Sequence, residues 1–144
     1  MQRILIIDDD ESIRRAIRRL LLVAGFLVQV AVNGAEGMRQ FLGGQFELVI
    51  VDIWMPEMDG LETLMEIRRN TPEAKVIVMS GGGGGMEPTR QLKRAKELGA
   101  VATLTKPFPL SDLLQAVQEA TEGRVWTAGK VLNSRRIRSP RIEL

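Results

Sequence analysis

Neither cysteine nor histidine occurs in the 144 residues. The first absence excludes a disulfide framework, a thiolate metal site and a thiol nucleophile. The second removes imidazole from every candidate mechanism and every metal shell. Any chemistry must therefore use carboxylates, hydroxyls, lysine or the backbone. Long apolar runs are missing too: none approaches the roughly 20 residues needed to span a bilayer. The start, Met1-Gln-Arg-Ile-Leu-Ile-Ile-Asp, enters a strand pattern at once and lacks the layout of a signal peptide. A cytoplasmic setting without membrane contact is the expectation.

What is present is ordinary for a globular protein, with 44% apolar and 26% charged residues. The length suits one domain with a proper core. The net charge of +2 hides an asymmetry. Residues 123–144 carry Arg124, Lys130, Arg135, Arg136, Arg138 and Arg141 against a single acidic residue, whereas residues 1–122 are mildly acidic. The sequence divides into a folded part, 1–122, and a basic tail or linker, 123–144, expected to be poorly ordered. A sharper reading of the tail is an arm for nucleic acid or for an acidic protein surface. It is expected to be dispensable for the chemistry below.

The chain is organised around Glu47-Leu-Val-Ile-Val-Asp-Ile-Trp-Met-Pro-Glu-Met-Asp-Gly60. Leu48 to Val51 is a continuous apolar run rich in β-branched residues, the pattern of a strand buried on both faces. It stops at Asp52, and Pro56 with Asp59-Gly60 then turns the chain. Four similar runs flank it: Arg3 to Ile7, Phe26 to Ala31, Lys75 to Met79 and Val101 to Leu104. Helical spacing follows each run, at Ile13, Ile17, Leu20 and Leu21, at Met38, Phe41 and Leu42, and at Leu61, Leu64, Met65 and Ile67. It recurs from Pro88 to Leu98 and from Ser111 through Val117. Five βα units with short connections predict a doubly wound α/β fold with a five-stranded parallel sheet. Its expected strand order is 2-1-3-4-5, with a ligand crevice beside the first and third strands.

The strand ends place Asp8 and Asp9, Asp52, Ser80 and Lys106 at one edge of that sheet. Each has a plain reading alone: Asp8, Asp9 and Asp10 as helix caps, Ser80 as a turn residue, Lys106 as a solvated charge. Together they are harder to dismiss. Crowded carboxylates repel one another and call for a cation, and all-oxygen ligation suits Mg²⁺ or Mn²⁺. Metal, ammonium and hydroxyl are what an incoming phosphoryl group needs around its oxygens.

Four blocks, Ile4-Leu-Ile-Ile-Asp-Asp-Asp-Glu, Val51-Asp-Ile-Trp-Met-Pro-Glu-Met-Asp-Gly, Val76-Ile-Val-Met-Ser-Gly and Leu104-Thr-Lys-Pro-Phe, are similar to the receiver domain of two-component response regulators. The resemblance covers residues 1–122, with every block in order. It implies that Asp52 is the phosphoacceptor and that Asp8 and Asp9 hold Mg²⁺ with it, the backbone carbonyl of Trp54 completing the shell. It implies that Ser80 is the switch hydroxyl, that Lys106 contacts the phosphoryl group and that the Lys106-Pro107 bond is cis. The implied donor is a sensor histidine kinase or a phosphotransfer protein. The implied output face is the fourth helix, fifth strand and fifth helix, and a homodimer formed on phosphorylation is a further implication.

The chain departs from the family pattern in three places. Thr103 stands where the family's switch aromatic usually lies. Gly81 to Gly85, Gly82 included, should leave the segment before the fourth helix free to move; without a following Gly-Lys-Ser/Thr the run is not a P-loop. Trp54 and Gly82 stand where polar side chains orient the hydrolytic water in receivers that dephosphorylate quickly. Two rival readings fit less well. An aspartyl-phosphate phosphohydrolase generally has a second aspartate two residues after its nucleophile, where this chain has Trp54, and a cap insertion is absent. A flavodoxin-like cofactor binder needs a hydroxyl-rich phosphate loop after the first strand, where this chain is acidic. No helix-turn-helix pattern follows the fifth helix, so a folded DNA-binding domain is not expected within these residues, whether the protein is a single-domain receiver or this is part of a longer regulator.

Overall fold

The computed structural model describes residues 2–81, 87–122, 126–127 and 130–131. In chain order its elements are β1 (Arg3–Ile7), α1 (Glu11–Val23), β2 (Leu27–Ala31), α2 (Gly34–Gly43), β3 (Leu48–Asp52), α3 (Gly60–Asn70), β4 (Val76–Ser80), α4 (Pro88–Glu97), β5 (Ala102–Thr105) and α5 (Leu110–Glu122). The five strands form one sheet in the order β2-β1-β3-β4-β5, and every pairing is parallel. Both the fold class and the strand order are those the sequence predicts. Within the tail, Trp126–Thr127 pairs antiparallel with Lys130–Val131 as β6 and β7.

Position in the sheet explains the two kinds of strand sequence. β3 and β4 are buried at all five positions, and only Arg3 of β1 is partly exposed. A strand with helices on both faces needs apolar residues throughout. The edge strands β2 and β5 are partly exposed and so tolerate Gln29, Thr103 and Thr105.

Alternation along each strand splits the core into two layers. Leu5, Ile7, Val49, Val51, Val76 and Val78 pack toward α2, α3 and α4, with Phe41, Leu64, Ile67 and Leu92. Ile4, Ile6, Leu48, Ile50, Ile77 and Met79 pack toward α1 and α5, with Ile17, Leu21, Leu113, Leu114 and Val117. A fully buried Leu or Ile contributes about 1.5–3 kcal/mol relative to exposure, so each layer holds its helices firmly.

The strands differ from the expected boundaries by a residue or so, for local reasons. Phe26 lies outside β2 because it closes α1: Gly25 takes φ +97°, and the Phe26 N–H donates to Leu21 O at 3.0 Å. The same device ends α4, with Gly99 at φ +100° and the Ala100 N–H on Ala95 O. These are Schellman-type ends, in which the left-handed residue satisfies carbonyls the helix leaves open. β4 extends to Ser80 because Ser80 pairs with Thr105. The last turn of α5 has no basic residue of its own. Lys75 Nζ donates to Ala120 O at 2.6 Å and Gln2 Nε2 to Thr121 O at 3.0 Å, so both donors come from the amino edge of the sheet.

Candidate functional site

The predicted residues meet at the carboxyl edge. Asp8 follows β1, Asp52 ends β3, Ser80 ends β4 and Lys106 follows β5. Asp8 is completely buried and Asp52 nearly so, whereas Asp9 is exposed. Lys106 Nζ lies 3.0 Å from Asp8 Oδ2 and 2.9 Å from Asp52 Oδ1, a single ammonium shared by two buried carboxylates. The Lys106-Pro107 bond is cis, as expected. One oxygen from each of Asp8, Asp9 and Asp52 falls within 4.8 Å of the others.

Of the three consecutive aspartates only Asp10 is a cap. Its carboxylate accepts from the Ser12 and Ile13 N–H groups at the start of α1. Asp8 turns inward, accepting from the Asp10 N–H at 2.9 Å, while its own carbonyl accepts from Arg14 Nη1 at 2.7 Å. The loop after β3 is held just as closely. Asp59 caps α3, and the Gly60 N–H donates back to Ile53 O at 2.8 Å. A Cβ on Gly60 would lie 2.2 Å from the carbonyl oxygen of Asp52, so only glycine permits this approach. Met55 is buried and anchors the loop, Glu57 adopts a left-handed φ of 66°, and Trp54 is 56% exposed.

Burial dominates the electrostatics. It pushes the Asp52 carboxyl up to about 6, helped by the charge of Asp8 and opposed by Lys106. Asp8 is also raised by burial, against the Asp10 N–H and Lys106. For Lys106, burial favours the neutral amine, but the hydrogen bonds and charges of Asp52 and Asp8 outweigh it and the ammonium is stabilised. Two buried carboxylates share one ammonium, and exposed Asp9 beside them adds a third negative charge, which leaves an excess of negative charge at this edge. With oxygen the only donor type, the set fits a hard divalent cation.

Ser80 is placed differently. Continuing the alternation, Asp8, Asp52 and Lys106 follow the phase of the α1/α5 layer, whereas Ser80 follows Val76 and Val78 toward α4. Its hydroxyl donates to Gln91 Oε1 on α4, and both residues are buried. Thr103, paired with Val78, is partly buried on the same side. Gly81 follows the strand, where a Cβ would be 3.4 Å from Lys106 Cβ; Gly82 lies outside the described residues. Sequence reasoning missed Gln91. The available signal was a polar residue inside the stripe Gln91, Leu92 and Ala95 that α4 buries.

An open parallel sheet with a buried acidic pair, a bridging ammonium and a hydroxyl on the intervening strand defines a regulatory class of α/β domain. A model of the response regulator receiver domain matches residues 4–118, and the chain belongs to that family. It is 32% identical over 119 residues to the transcriptional regulatory protein DltR of Streptococcus agalactiae serotype III (strain NEM316), covering 83% of this chain and 51% of that protein. It is 32% identical over 112 residues to the response regulator MprA of Mycobacterium sp. (strain KMS), covering 78% and 47%. The chain thus spans about half the length of these relatives. Among solved structures, a response regulator receiver domain protein from Clostridium thermocellum superposes with a TM-score of 0.79 at 33% identity, covering 85% of this chain and 96% of that one. The response regulator TrrA from Thermotoga maritima, in complex with Mg(2+)-BeF, gives 0.74 at 31% identity, covering 83% and 99%. Receivers belong to two-component systems and are regulatory domains, not classical enzymes, so this chain serves phosphorylation-dependent signalling. No helix among the described residues is long and apolar enough to cross a membrane.

Proposed function

We propose that Asp52 accepts a phosphoryl group from a phosphohistidine of a sensor histidine kinase or phosphotransfer protein, in a cytoplasmic setting. The reading rests on one observation above all: a buried carboxylate at the end of the central strand, paired 2.9 Å from a partly buried ammonium and grouped with Asp8 and Asp9. A carboxylate oxygen of Asp52 attacks phosphorus, the P–N bond breaks, and its electron pair returns to the imidazole. Lys106, already in place, stabilises the charge on the transferred oxygens. Asp8, Asp9, Asp52 and the Trp54 carbonyl are the groups that would hold Mg²⁺ or Mn²⁺, which would neutralise phosphoryl charge. Ser80 is the hydroxyl that meets the phosphoryl group, and Thr103 and Gly82 modify the switch. Residues 1–122 form the receiver, with α4, β5 and α5 as its output face, and residues 123–144 are a basic extension.

Acetyl phosphate with Mg²⁺ should modify Asp52 alone, mapped by mass spectrometry. A comparable yield from Asp52→Asn would overturn the assignment.

A further inference from the structure

We propose that Gln91 is a positioning residue that holds the Ser80 hydroxyl on α4 until phosphorylation, so that α4 itself reads the switch. The inference rests on the function proposed above and adds a residue to it. A serine hydroxyl has one hydrogen to donate. Here it is given to Gln91 Oε1, within a buried pair on the α4 side of the sheet. Donation to a phosphoryl oxygen on Asp52, whose strand-end phase belongs to the α1/α5 layer, needs that same hydrogen. The two bonds exclude one another. The Gln91 side chain is only 3% exposed, so loss of the Ser80 donor changes hydrogen bonding inside a buried contact.

Gln91 stands between Leu92 and the start of α4 at Pro88, in the stripe that packs the helix down. Release of the Ser80 bond therefore bears on how the first turns of α4 sit. In this chain Thr103, on the same side of the sheet, has no ring to fill or vacate space beside the hydroxyl. A buried amide supplies the coupling where an aromatic side chain does not. A ligand shifts such an equilibrium only through its different affinity for the two states, and the Ser80–Gln91 bond is a term that disfavours the phosphoryl-bound one.

Beryllium fluoride with Mg²⁺ serves as the probe, titrated into the full chain with Asp52→Asn as the blank. Gln91→Met keeps the length of the side chain and removes the acceptor. It should bind the probe about two- to tenfold more tightly than the parent, the worth of one net hydrogen bond. In a Ser80→Ala background the same substitution should change affinity less than about twofold, which a loss of helix packing alone would not reproduce. In the parent, the side-chain amide resonances of Gln91 should shift when the probe binds, a signature that needs no variant to fold. Equal or weaker binding by Gln91→Met, an equal effect with and without the Ser80 hydroxyl, or unmoved Gln91 amide resonances would each overturn the inference alone. Failure of the parent to bind the probe through Asp52 would overturn the proposed function and the inference with it.

Discussion

Two neighbouring parts of one sheet edge are organised in opposite ways. At the ends of β1, β3 and β5, Asp8 and Asp52 already meet on the Lys106 ammonium. At the end of β4, Ser80 is engaged with Gln91 on a helix. On the proposed function the first part is assembled before any phosphate arrives, and electrostatic preorganisation of that kind costs no rearrangement during transfer. On the same function, the second would exchange partners, which is what a signal requires of it. Pleat phase separates the two, since a single residue's shift along a strand reverses the side it faces.

The largest effect is expected from disturbing the assembled part alone. Gly60→Ala would force a Cβ against the Asp52 carbonyl, at 2.2 Å before any relaxation. We expect a loss of about 1–3 kcal/mol in unfolding free energy by urea titration, with slower phosphorylation of Asp52. Wild-type stability in that variant would show that the β3–α3 loop is looser than its contacts imply.

The comparison sharpens at the step that ends the signal. Acyl phosphate hydrolysis needs a water placed in line with phosphorus, and neither Trp54, which offers only a donor, nor Gly82 can take its proton. Trp54→Asn and Gly82→Glu should together speed decay of the phosphoprotein by about one to two orders of magnitude, or about 1.4–2.8 kcal/mol. Measured singly, the variants tell which loop controls the water. Decay in the parent as fast as in the double variant would refute the placement argument.

Asp52 sets a pH dependence peculiar to the assembled part. Its carboxyl titrates at about 6 when folded against 3.8 ordinarily, so the folded state binds the proton more tightly than the unfolded chain does. The stability this confers is present below pH 3.8 and lost as pH rises through about 6. In a chelator, Asp52→Asn should therefore exceed the parent in stability by about 1–3 kcal/mol near neutrality, with the gap closing in acid. Thermal unfolding across that range checks it, and a gap independent of pH would mean that the Lys106 pairing fully offsets burial.

A smaller effect is expected at Glu57, whose left-handed backbone disfavours any side chain with a Cβ. Glu57→Gly should stabilise the β3–α3 loop by roughly 0.5–1 kcal/mol, read from the unfolding midpoint, since the relief exceeds the entropy glycine adds. No gain would mean that the carboxylate contributes what the backbone loses.

Most of this architecture was legible in the sequence. Continuous apolar runs marked the strands because burial on both faces leaves no polar option, and Asp8, Asp52 and Lys106 declared themselves as charges ending such runs. What stayed hidden depended on tertiary partners. The sequence shows three aspartates alike, yet only Asp10 finds the α1 N–H groups while Asp8 turns to Lys106. Gln91 reads as one more polar residue on a basic helix until the fold sets it against Ser80. The end of β4 shifted for the same reason, because pairing with Thr105 is a long-range event.

The two donors that close α5 carry a consequence for whatever follows it. Lys75 and Gln2 sit where strands begin, so they fasten the end of α5 to the pole opposite the acidic crevice. Thirteen helical residues span about 20 Å. A module joined after Glu122 would take its start from that far pole. On the proposed function, such a module would be expected to register phosphorylation through the footing of α5 rather than through contact with the phosphate.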